Sequence, residues 1–280
     1  MNLPQFITDE IIERALREDI NYVDAATDYL LDDDDVSTAR FVAKASGILC
    51  GIDIAVRVFE MLDKDVKVQI NIRDGGKVEK GDVIAVVTGK TKAILKAERT
   101  SLNILQHMSG IATETAKYAE CCKGTHAHVT ETRKTLPGLR AIEKYAVTVG
   151  GGKNHRYNLS DGAMLKDNHI DAYGSITKAV EALRSRMGHM IKIEVEVRNE
   201  EELREALSCN ADVIMLDNMT CEQMKKCVEI ADGKAVLEAS GNVTLDNMAE
   251  VAATGVDIVS VGALTHSVKA FDISLRIDKK

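Results

Sequence analysis

The sequence predicts an α/β protein whose larger part is a (β/α) barrel, complete or open. Past Gly124 the chain alternates short apolar or β-branched runs with helical segments. Such alternation is typical of a parallel sheet with helical crossovers. Polar and small residues also fall at or just past the carboxyl ends of the predicted strands, which is where barrel enzymes carry their chemistry. Before Gly124 the pattern differs, with strand-like runs placed around one helix.

Composition excludes several classes of protein. The 280 residues are 45% hydrophobic, enough for one large barrel or two domains. A net charge of -8 and 4% aromatic residues argue against a nucleic-acid partner. No apolar run is long enough to span a membrane, and the amino terminus is acidic, so we expect a cytoplasmic protein. The six cysteines form no CxxC pair and are expected to be reduced thiols.

The first hundred residues predict structural elements without catalytic groups. Thr8 is expected to cap a short helix over residues 9–20, and Asp32 to Asp35 form an acidic run expected in an exposed loop. Strand-like runs at 37–50 and 66–72 flank a segment at 52–63 with helical periodicity.

Two turns, at residues 74–76 and 79–82, are expected to bracket a hairpin that leads into a strand at 83–89. The region is similar to the small sandwich that carries lipoyl or biotinyl groups, but Lys77 and Lys80 are weak attachment candidates, so a structural role is preferred. A long helix from Thr91 to Cys122 follows and contains Arg99, which by itself predicts a surface ion pair.

The barrel elements follow from periodicity. Predicted strands cover 128–132, 163–167, 191–197, 212–217, 234–240 and 257–262, and predicted helices cover 139–149, 174–187, 199–209, 221–231 and 244–253. A leucine-rich solenoid has a similar period, but its LxxLxLxxN signature is absent. Gly150 to Gly152 lacks P-loop spacing and predicts a helix stop. His126 and His128 share one strand face and are interpreted as ordinary strand residues.

Positive charge is concentrated between residues 133 and 166. Glu143 and Asp161 are the acidic residues that oppose it, and the basic residues are Arg133, Lys134, Arg140, Lys144, Lys153, Arg156 and Lys166, with His155 alongside. A solvated helix face is the simpler explanation. However, these cations follow different predicted elements, so they indicate a pocket for small anions of high charge.

Acidic residues and small-residue turns complete the candidate site. Glu194 and Glu196 share one strand face; for Glu194, a structural pairing with Lys192 or Lys166 is at least as well supported as catalysis. Glu196 and Asp217 lie at the predicted rim, where they could hold hydrated Mg²⁺ or sugar hydroxyls. Two turns offer backbone N–H groups to phosphate, although ordinary loops have the same composition: Ser240, Gly241 and Asn242, then Ser260, Val261, Gly262 and Ala263.

Several motifs in one order resemble the quinolinate phosphoribosyltransferase family, also called nicotinate-nucleotide pyrophosphorylase (carboxylating). They are ERTSLNILQHMSGIAT, TRKTLPGLR, GGGKNHRYNLSDGAMLKDNH, IEVEV, LDNM, EASGNV and GVDIVSVGALTHS. The resemblance implies an amino-terminal α/β sandwich over residues 1–112, with 266–280 packing back on it. It also implies an open seven-stranded (β/α) barrel over 113–265, and a homodimer that could build a hexamer.

The resemblance also implies roles at matching positions. Residues expected to bind quinolinate are Arg133, His155, Arg156 and Lys166, with Thr132 through its backbone and Arg99 from the neighbouring subunit. Residues expected to contact the phosphoribosyl group are Lys134, Glu196 and Asp217, together with the two turns at 240–242 and 260–263. Lys134, Lys166, Glu196 and Asp217 are the expected catalytic residues, and Mg²⁺ is expected to bind through the substrate with Glu196 and Asp217.

The implied reaction joins quinolinate to 5-phosphoribosyl 1-pyrophosphate and releases pyrophosphate and carbon dioxide. Two alternatives stay open at this point. A related transferase, including molybdenum-associated relatives, could act on nicotinate or another ring acid without decarboxylation. A non-catalytic phosphosugar sensor could use the same scaffold, because a fold does not assign a function.

Overall fold

The computed structural model describes residues 3–278, which form two compact units. The first comprises Met1–Ala116, Thr135–Gly151 and Thr265–Lys280, and the second comprises Lys117–Lys134 and Gly152–Leu264. Residues 135–151, which the prediction placed in the barrel, therefore belong to the first unit.

The elements are numbered in chain order. The helices are α1 Gln5–Asp19, α2 Thr27–Leu30, α3 Ile52–Leu62, α4 Thr91–Cys121, α5 Arg140–Val149, α6 Asp167–Tyr173, α7 Ile176–Arg186, α8 Glu200–Ser208, α9 Cys221–Ala231, α10 Leu245–Ala252 and α11 Ala263–His266. The strands are β1 Val36–Ala43, β2 Gly47–Ile48, β3 Lys67–Ile70, β4 Lys77–Val78, β5 Val83–Lys90, β6 His128–Thr130, β7 Ala163–Leu165, β8 Ile193–Val197, β9 Val213–Asp217, β10 Val236–Ser240, β11 Ile258–Ser260 and β12 Ile273–Ile277.

In the first unit, a four-stranded antiparallel sheet has the order β12-β1-β5-β3. Its apolar side chains alternate with exposed ones along β1 and pack on α3, where the rings of Phe41 and Phe59 meet edge to face at 5.8 Å. This period-two burial is the pattern of a sheet with one covered face. The chain from residue 265 onward returns to this unit, because β12 pairs with β1.

Two local predictions for the first unit were wrong. Thr8 lies inside α1, where its hydroxyl donates to the carbonyl of Gln5, and the helix begins after Pro4. Proline at this position loses little, since the first helical N–H groups have no partner in the helix. The expected hairpin is also absent: β4 pairs with β2 in a separate small sheet, while β5 pairs with β1 and β3. Local turn signals could not reveal this long-range pairing.

In the second unit, six parallel strands have the order β6-β11-β10-β9-β8-β7. Within the described residues a single bridge from Thr130 to Lys153 extends the sheet beyond β6, where the resemblance implied a seventh strand. Alternate residues such as Val195, Leu216 and Leu237 enter one apolar cluster with the helices. The alternate residues on the opposite, inner face include the carboxylates Glu194, Glu196, Asp217 and Glu238 among apolar side chains.

The helices of this unit begin at polar caps that end the βα loops. The side chains of Ser175, Asn199 and Thr220 each accept a hydrogen bond from a backbone N–H in the first turn that follows. These caps keep most loops short, so strand ends and helix starts define one edge of the unit. Over residues 3–278, no helix combines the length and apolar character needed to cross a membrane.

Candidate active site

The carboxyl-terminal residues of four barrel strands lie side by side in the register of the sheet. Thr130, Ser260, Ser240 and Asp217 are successive partners in the parallel register of β6, β11, β10 and β9. Because parallel strands present all their carboxyl ends at one edge, the loops that follow converge there. The predicted location of the site is therefore supported by the register of the sheet.

Lys166 and Glu196 form an ion pair at this edge. The Lys166 Nζ lies 2.8 Å from Glu196 Oε2, and the lysine side chain is 48% exposed while the glutamate is 14% exposed. The backbone N–H of Lys166 donates to His169 Nδ1 at the start of α6, which fixes the strand end. The sequence had offered Lys166 or Lys192 as a partner for Glu194, and that pairing was wrong.

The guanidinium groups of Arg133 and Arg156, in the same unit, lie close enough to interact electrostatically. The Arg156 guanidinium donates to the Gly162 carbonyl at 2.9 Å and to Met164 Sδ at 3.5 Å, which ties it to the start of β7. Burial, and then the positive charge of Arg133, lower the pKa of Arg156. Two like charges held near one another repel, and an anion with two negative groups would relieve that repulsion.

His155 is surrounded by carboxylates on the inner face of the sheet. Its Nε2 lies 3.4 Å from Glu194 Oε2 and 3.3 Å from Glu238 Oε2, and its backbone N–H donates to the fully buried Glu131 at 3.1 Å. Burial opposes protonation of the ring, but Glu194 and Glu238 outweigh it and raise the pKa of His155 to about 10. Burial likewise raises the pKa of Glu194.

Within the cluster of His155, Glu194 and Glu238, the contacts of the ring indicate where the protons lie. The backbone N–H of Arg156 donates to His155 Nδ1 at 2.8 Å, so a proton on Nδ1 would face another N–H. We therefore place the ring proton on Nε2, and the additional proton that this cluster retains on the carboxylate side. Sequence reasoning missed Glu131 and Glu238; the available signal was a carboxylate inside an apolar strand.

Asparagine side chains form hydrogen bonds that stabilise the first small-residue turn, at residues 240–242. The side chain of Asn218 donates to Asp217 at 2.8 Å and accepts from Asn242 at 2.9 Å, and Asn247 donates to the Asn242 carbonyl at 3.0 Å. Gly241 has φ +92, and a Cβ there would overlap the Asn218 side chain. The turn thus couples the end of β10 to Asp217.

The second turn contributes less than the sequence suggested. The Val261 N–H donates to the Thr130 carbonyl at 2.9 Å as part of the sheet, and the Val261 side chain is buried in the apolar cluster. Val261 is therefore removed from the amides available to a phosphate. Ser260, Gly262 and Ala263 remain at the end of β11.

Not all residues of the basic stretch belong to this edge. Arg140 and Lys144 lie in the first unit, where Arg140 donates to Thr135 and Lys144 is 2% exposed. Glu143, expected to oppose these cations, is buried in the same unit and contacts His107 at 2.8 Å. In the second unit, Lys134 is exposed and its backbone N–H donates to the Thr132 hydroxyl at 3.1 Å.

Arg99 lies on α4 in the first unit and is exposed. Over residues 3–278 its side chain has no ion pair or hydrogen bond, so the predicted surface ion pair is wrong. An unpaired cation on an exposed helix face of the first unit fits a ligand or partner outside that unit.

The donor set at the edge bears on a magnesium site. Within the described residues, the one group of three His, Cys, Asp or Glu donors close enough to share an ion is His155, Glu194 and Glu238. Glu196 and Asp217 belong to no such group. Two rim carboxylates suit Mg²⁺ only if substrate oxygens and water supply the other ligands, which is the way this ion usually binds.

Comparisons with known proteins agree along the chain. Residues 24–109 match the family model described as the N-terminal domain of quinolinate phosphoribosyl transferase, and residues 111–276 match that of its C-terminal domain. A Bacillus subtilis protein named "Probable nicotinate-nucleotide pyrophosphorylase [carboxylating]" is 45% identical over 85% of this chain and 83% of its own length. A Mycobacterium leprae protein named "Nicotinate-nucleotide pyrophosphorylase [carboxylating]" is 42% identical over 95% of both chains.

A solved structure extends the agreement to the fold. The crystal structure of NadC from Streptococcus pyogenes has a TM-score of 0.96 and 40% identity, covering 99% of this chain and 98% of that one.

Proposed function

The chain belongs to the quinolinate phosphoribosyltransferase family, and we propose that the edge described above is the site at which it carries out the family reaction. The enzyme transfers phosphoribosyl from 5-phosphoribosyl 1-pyrophosphate to quinolinate. The products are nicotinate mononucleotide, pyrophosphate and carbon dioxide. The observation that supports the assignment of the site is the presence of two guanidinium groups, Arg133 and Arg156, close enough that the charge of Arg133 lowers the pKa of Arg156, in the same unit as the Lys166–Glu196 ion pair.

The cations are proposed to hold the two ring carboxylates. Arg133 and Arg156 offer forked donors, which match carboxylate geometry, and Lys166 offers a point charge. The backbone of Thr132 adds polar groups to the same loop. Arg99 is proposed to come from a neighbouring subunit, since in its own unit the side chain is exposed and has no partner among residues 3–278.

The carboxylates and turns are proposed to hold the sugar phosphate. Glu196 and Asp217 face the ribose hydroxyls, and the turn at 240–242 with Ser260, Gly262 and Ala263 surrounds the 5′-phosphate. Lys134 lies next to Arg133 and neutralises charge on the pyrophosphate. When bound through pyrophosphate oxygens and these rim carboxylates, Mg²⁺ would neutralise negative charge on the leaving group.

The chemistry follows from where charge develops. As pyrophosphate leaves, positive charge grows on the ribose, and Glu196 and Asp217 stabilise it electrostatically. The pyridine nitrogen forms a bond to C1 of the ribose and becomes positively charged. The bond from C2 of the ring to its carboxylate then breaks, and the electron pair left on C2 is stabilised by the adjacent nitrogen until a proton is taken up. No organic cofactor is required for this step.

Positioning supplies much of the rate. Two highly charged anions repel one another, so fixed cations are needed to hold them in attack geometry, an effect worth several kcal/mol. The Lys166–Glu196 pair stands between the proposed quinolinate and ribose positions, with one member assigned to each substrate.

Assembly and location complete the proposal. The enzyme is proposed to act as a homodimer, or as a hexamer built from dimers, with Arg99 completing the partner's site. It is proposed to act in the cytoplasm. Neither nucleic acid nor a membrane is a proposed partner.

Side-by-side assays with quinolinate and nicotinate test the substrate. The cationic pocket predicts turnover of quinolinate and a far lower kcat/KM with nicotinate, which has one carboxylate for the same donors. Comparable turnover of nicotinate would instead support the related transferase without decarboxylation. Binding of quinolinate and phosphoribosyl pyrophosphate without pyrophosphate release would support a sensor.

A further inference from the structure

Both ring nitrogens of His155 are occupied by groups of its own unit. Nδ1 lies 2.8 Å from the backbone nitrogen of Arg156, and Nε2 lies 3.4 and 3.3 Å from carboxylate oxygens of Glu194 and Glu238. The backbone N–H of His155 is held as well, by Glu131 at 3.1 Å. The residue is therefore fixed at three points.

These contacts define the tautomer. A backbone N–H can only donate, so Nδ1 is unprotonated and the ring proton lies on Nε2, facing the two carboxylates. In this state the ring has no N–H left for a substrate carboxylate. A direct contact between His155 and quinolinate, as the resemblance implied, would require the ring to break one of these hydrogen bonds.

The same tautomer argues against a metal ion in the cluster. The donor atoms of His155, Glu194 and Glu238 lie within 4.8 Å of one another, which by distance alone would suit a cation. A histidine that binds a metal through Nε2 normally carries a proton on Nδ1 and donates it to a neighbour. Here Nδ1 is an acceptor, so metal binding at Nε2 would require an anionic imidazolate.

Burial separates the carboxylates from substrate. Glu238 is 1% exposed and Glu131 is fully buried, and a second oxygen of both Glu194 and Glu238 is buried without a hydrogen-bond partner. Buried carboxylates are costly to leave unpaired, so their retention on the inner face of the sheet calls for a role. The His155 ring contacts Glu194 and Glu238 through Nε2, and the His155 backbone N–H contacts Glu131.

Arg156 is held by hydrogen bonds at its backbone and at its guanidinium group. Its backbone is attached to His155 Nδ1, and its guanidinium is attached to the Gly162 carbonyl and Met164 Sδ. An arginine whose backbone and guanidinium are both held by hydrogen bonds loses less rotamer freedom when it binds a carboxylate, and this favours binding. Displacement of the His155 ring would remove the hydrogen bond that holds the backbone N–H of Arg156.

We propose that Glu194 and Glu238 are positioning residues for the substrate diacid: they hold the His155 ring on its Nε2 side, and the ring in turn fixes the backbone of Arg156. His155 is thus a positioning residue in this cluster, and Arg156 makes the contact with substrate. This inference rests on the proposed function of the edge and deepens it.

Kinetics of Glu238 variants test the proposal, since this side chain is 1% exposed and contacts the His155 ring. Glu238→Leu removes the acceptor at similar size and is expected to raise KM for quinolinate about tenfold, equivalent to about 1.4 kcal/mol, with KM for phosphoribosyl pyrophosphate unchanged. Glu238→Gln keeps an oxygen that can accept from Nε2 and is expected to restore most of the affinity. Asp257→Asn is the matched control. It weakens the 2.8 Å hydrogen bond that the Leu237 backbone N–H donates near the start of β10, so it should lower Tm without changing either KM.

Equal KM values for quinolinate in Glu238→Leu and wild type would overturn the proposal. So would a rise in both KM values together, because that pattern reports general damage to the unit. If wild type itself fails to turn over quinolinate, the proposed function is at fault and not the positioning cluster.

Nitrogen resonances of the histidine rings give a second test that does not depend on turnover or on variant folding. With ¹⁵N-labelled histidine, His155 is expected to show a protonated Nε2 and an unprotonated Nδ1, and to keep this pattern when quinolinate is saturating. A change of tautomer on quinolinate binding would contradict the proposal. A shift of the Nε2 resonance on adding Zn²⁺ would also contradict it, because the cluster would then be a metal site.

Discussion

The Lys166 ammonium lies 2.8 Å from the Glu196 carboxylate at the edge where the barrel strands end. The pair is partly exposed, so it contributes about 0–1 kcal/mol to folding. Its importance is that the two residues are assigned to different substrates. Under the proposed function, quinolinate is expected to draw Lys166 toward a second carboxylate while Glu196 binds the ribose.

The first prediction concerns Lys166. Lys166→Ala removes one cation of the pocket and leaves Glu196 without a partner, so kcat/KM should fall on the order of 10³-fold, about 4 kcal/mol. Steady-state kinetics measure the loss, and thermal melting provides the control because the fold should be unaffected. Near-normal activity would remove Lys166 from the mechanism.

Arg133→Ala should abolish turnover with quinolinate while the protein stays folded. The change removes a forked donor and also the positive charge that lowers the pKa of Arg156. Arg133→Lys is the matched variant: it keeps the charge but loses the fork, so activity should be recovered only in part. Full recovery with lysine would show that charge alone is sufficient.

Arg99 offers a test of subunit sharing. Arg99→Ala and Lys166→Ala should each be inactive, because each lacks one cation of every site. Mixed dimers should regain activity, since one of their two sites combines an intact Arg99 with an intact Lys166. Absence of recovery in verified mixed dimers would contradict a shared site.

Gly241→Ala should weaken binding of phosphoribosyl pyrophosphate. The residue has φ +92, where an alanine costs about 1–2 kcal/mol, and its Cβ would push on Asn218, which is bonded to Asp217. KM for phosphoribosyl pyrophosphate should rise at least tenfold, a factor that corresponds to about 1.4 kcal/mol, with KM for quinolinate little changed. Gly233→Ala, also at positive φ but in open space, is the control for backbone strain alone.

The buried cluster predicts a pH dependence of stability. Against the effect of burial, Glu194 and Glu238 raise the pKa of His155 to about 10, so these three groups together retain a proton in the folded protein that the unfolded chain loses near pH ~6.5. A raised pKa stabilises the fold fully below ~6.5, and this stabilisation is lost as the pH rises to about 10. The Tm advantage of wild type over Glu238→Gln should therefore shrink between these pH values. A Tm difference that does not change with pH would show that the cluster retains no extra proton.

The sequence predicted the fold where the signal was local and repeated. Strands such as β8 and β9 and the helices after them follow from periodicity and polar caps, and the rim positions of Lys166, Glu196 and Asp217 follow from strand ends. The pairing of β4 with β2 was not predictable, because it depends on contacts distant in the chain.

The sequence indicated charged residues for the candidate site, but not the contacts among its buried groups. The basic stretch was expected to form one pocket, but Lys144 is buried in the first unit, since proximity in sequence does not determine where a helix buries its face. Glu238 sits inside an apolar strand, and only the register and the position of His155 show that it has a partner. Tautomer and partner choice are properties of the assembled structure.

The central claim is that one edge of the barrel joins a ring diacid to an activated sugar and removes one carboxylate. Incubation with quinolinate, phosphoribosyl pyrophosphate and Mg²⁺, with quinolinate labelled in its C2 carboxylate, tests it most directly. Labelled carbon dioxide and pyrophosphate should appear in equal amounts. Pyrophosphate without labelled carbon dioxide, or neither product when both ligands are bound, would contradict it.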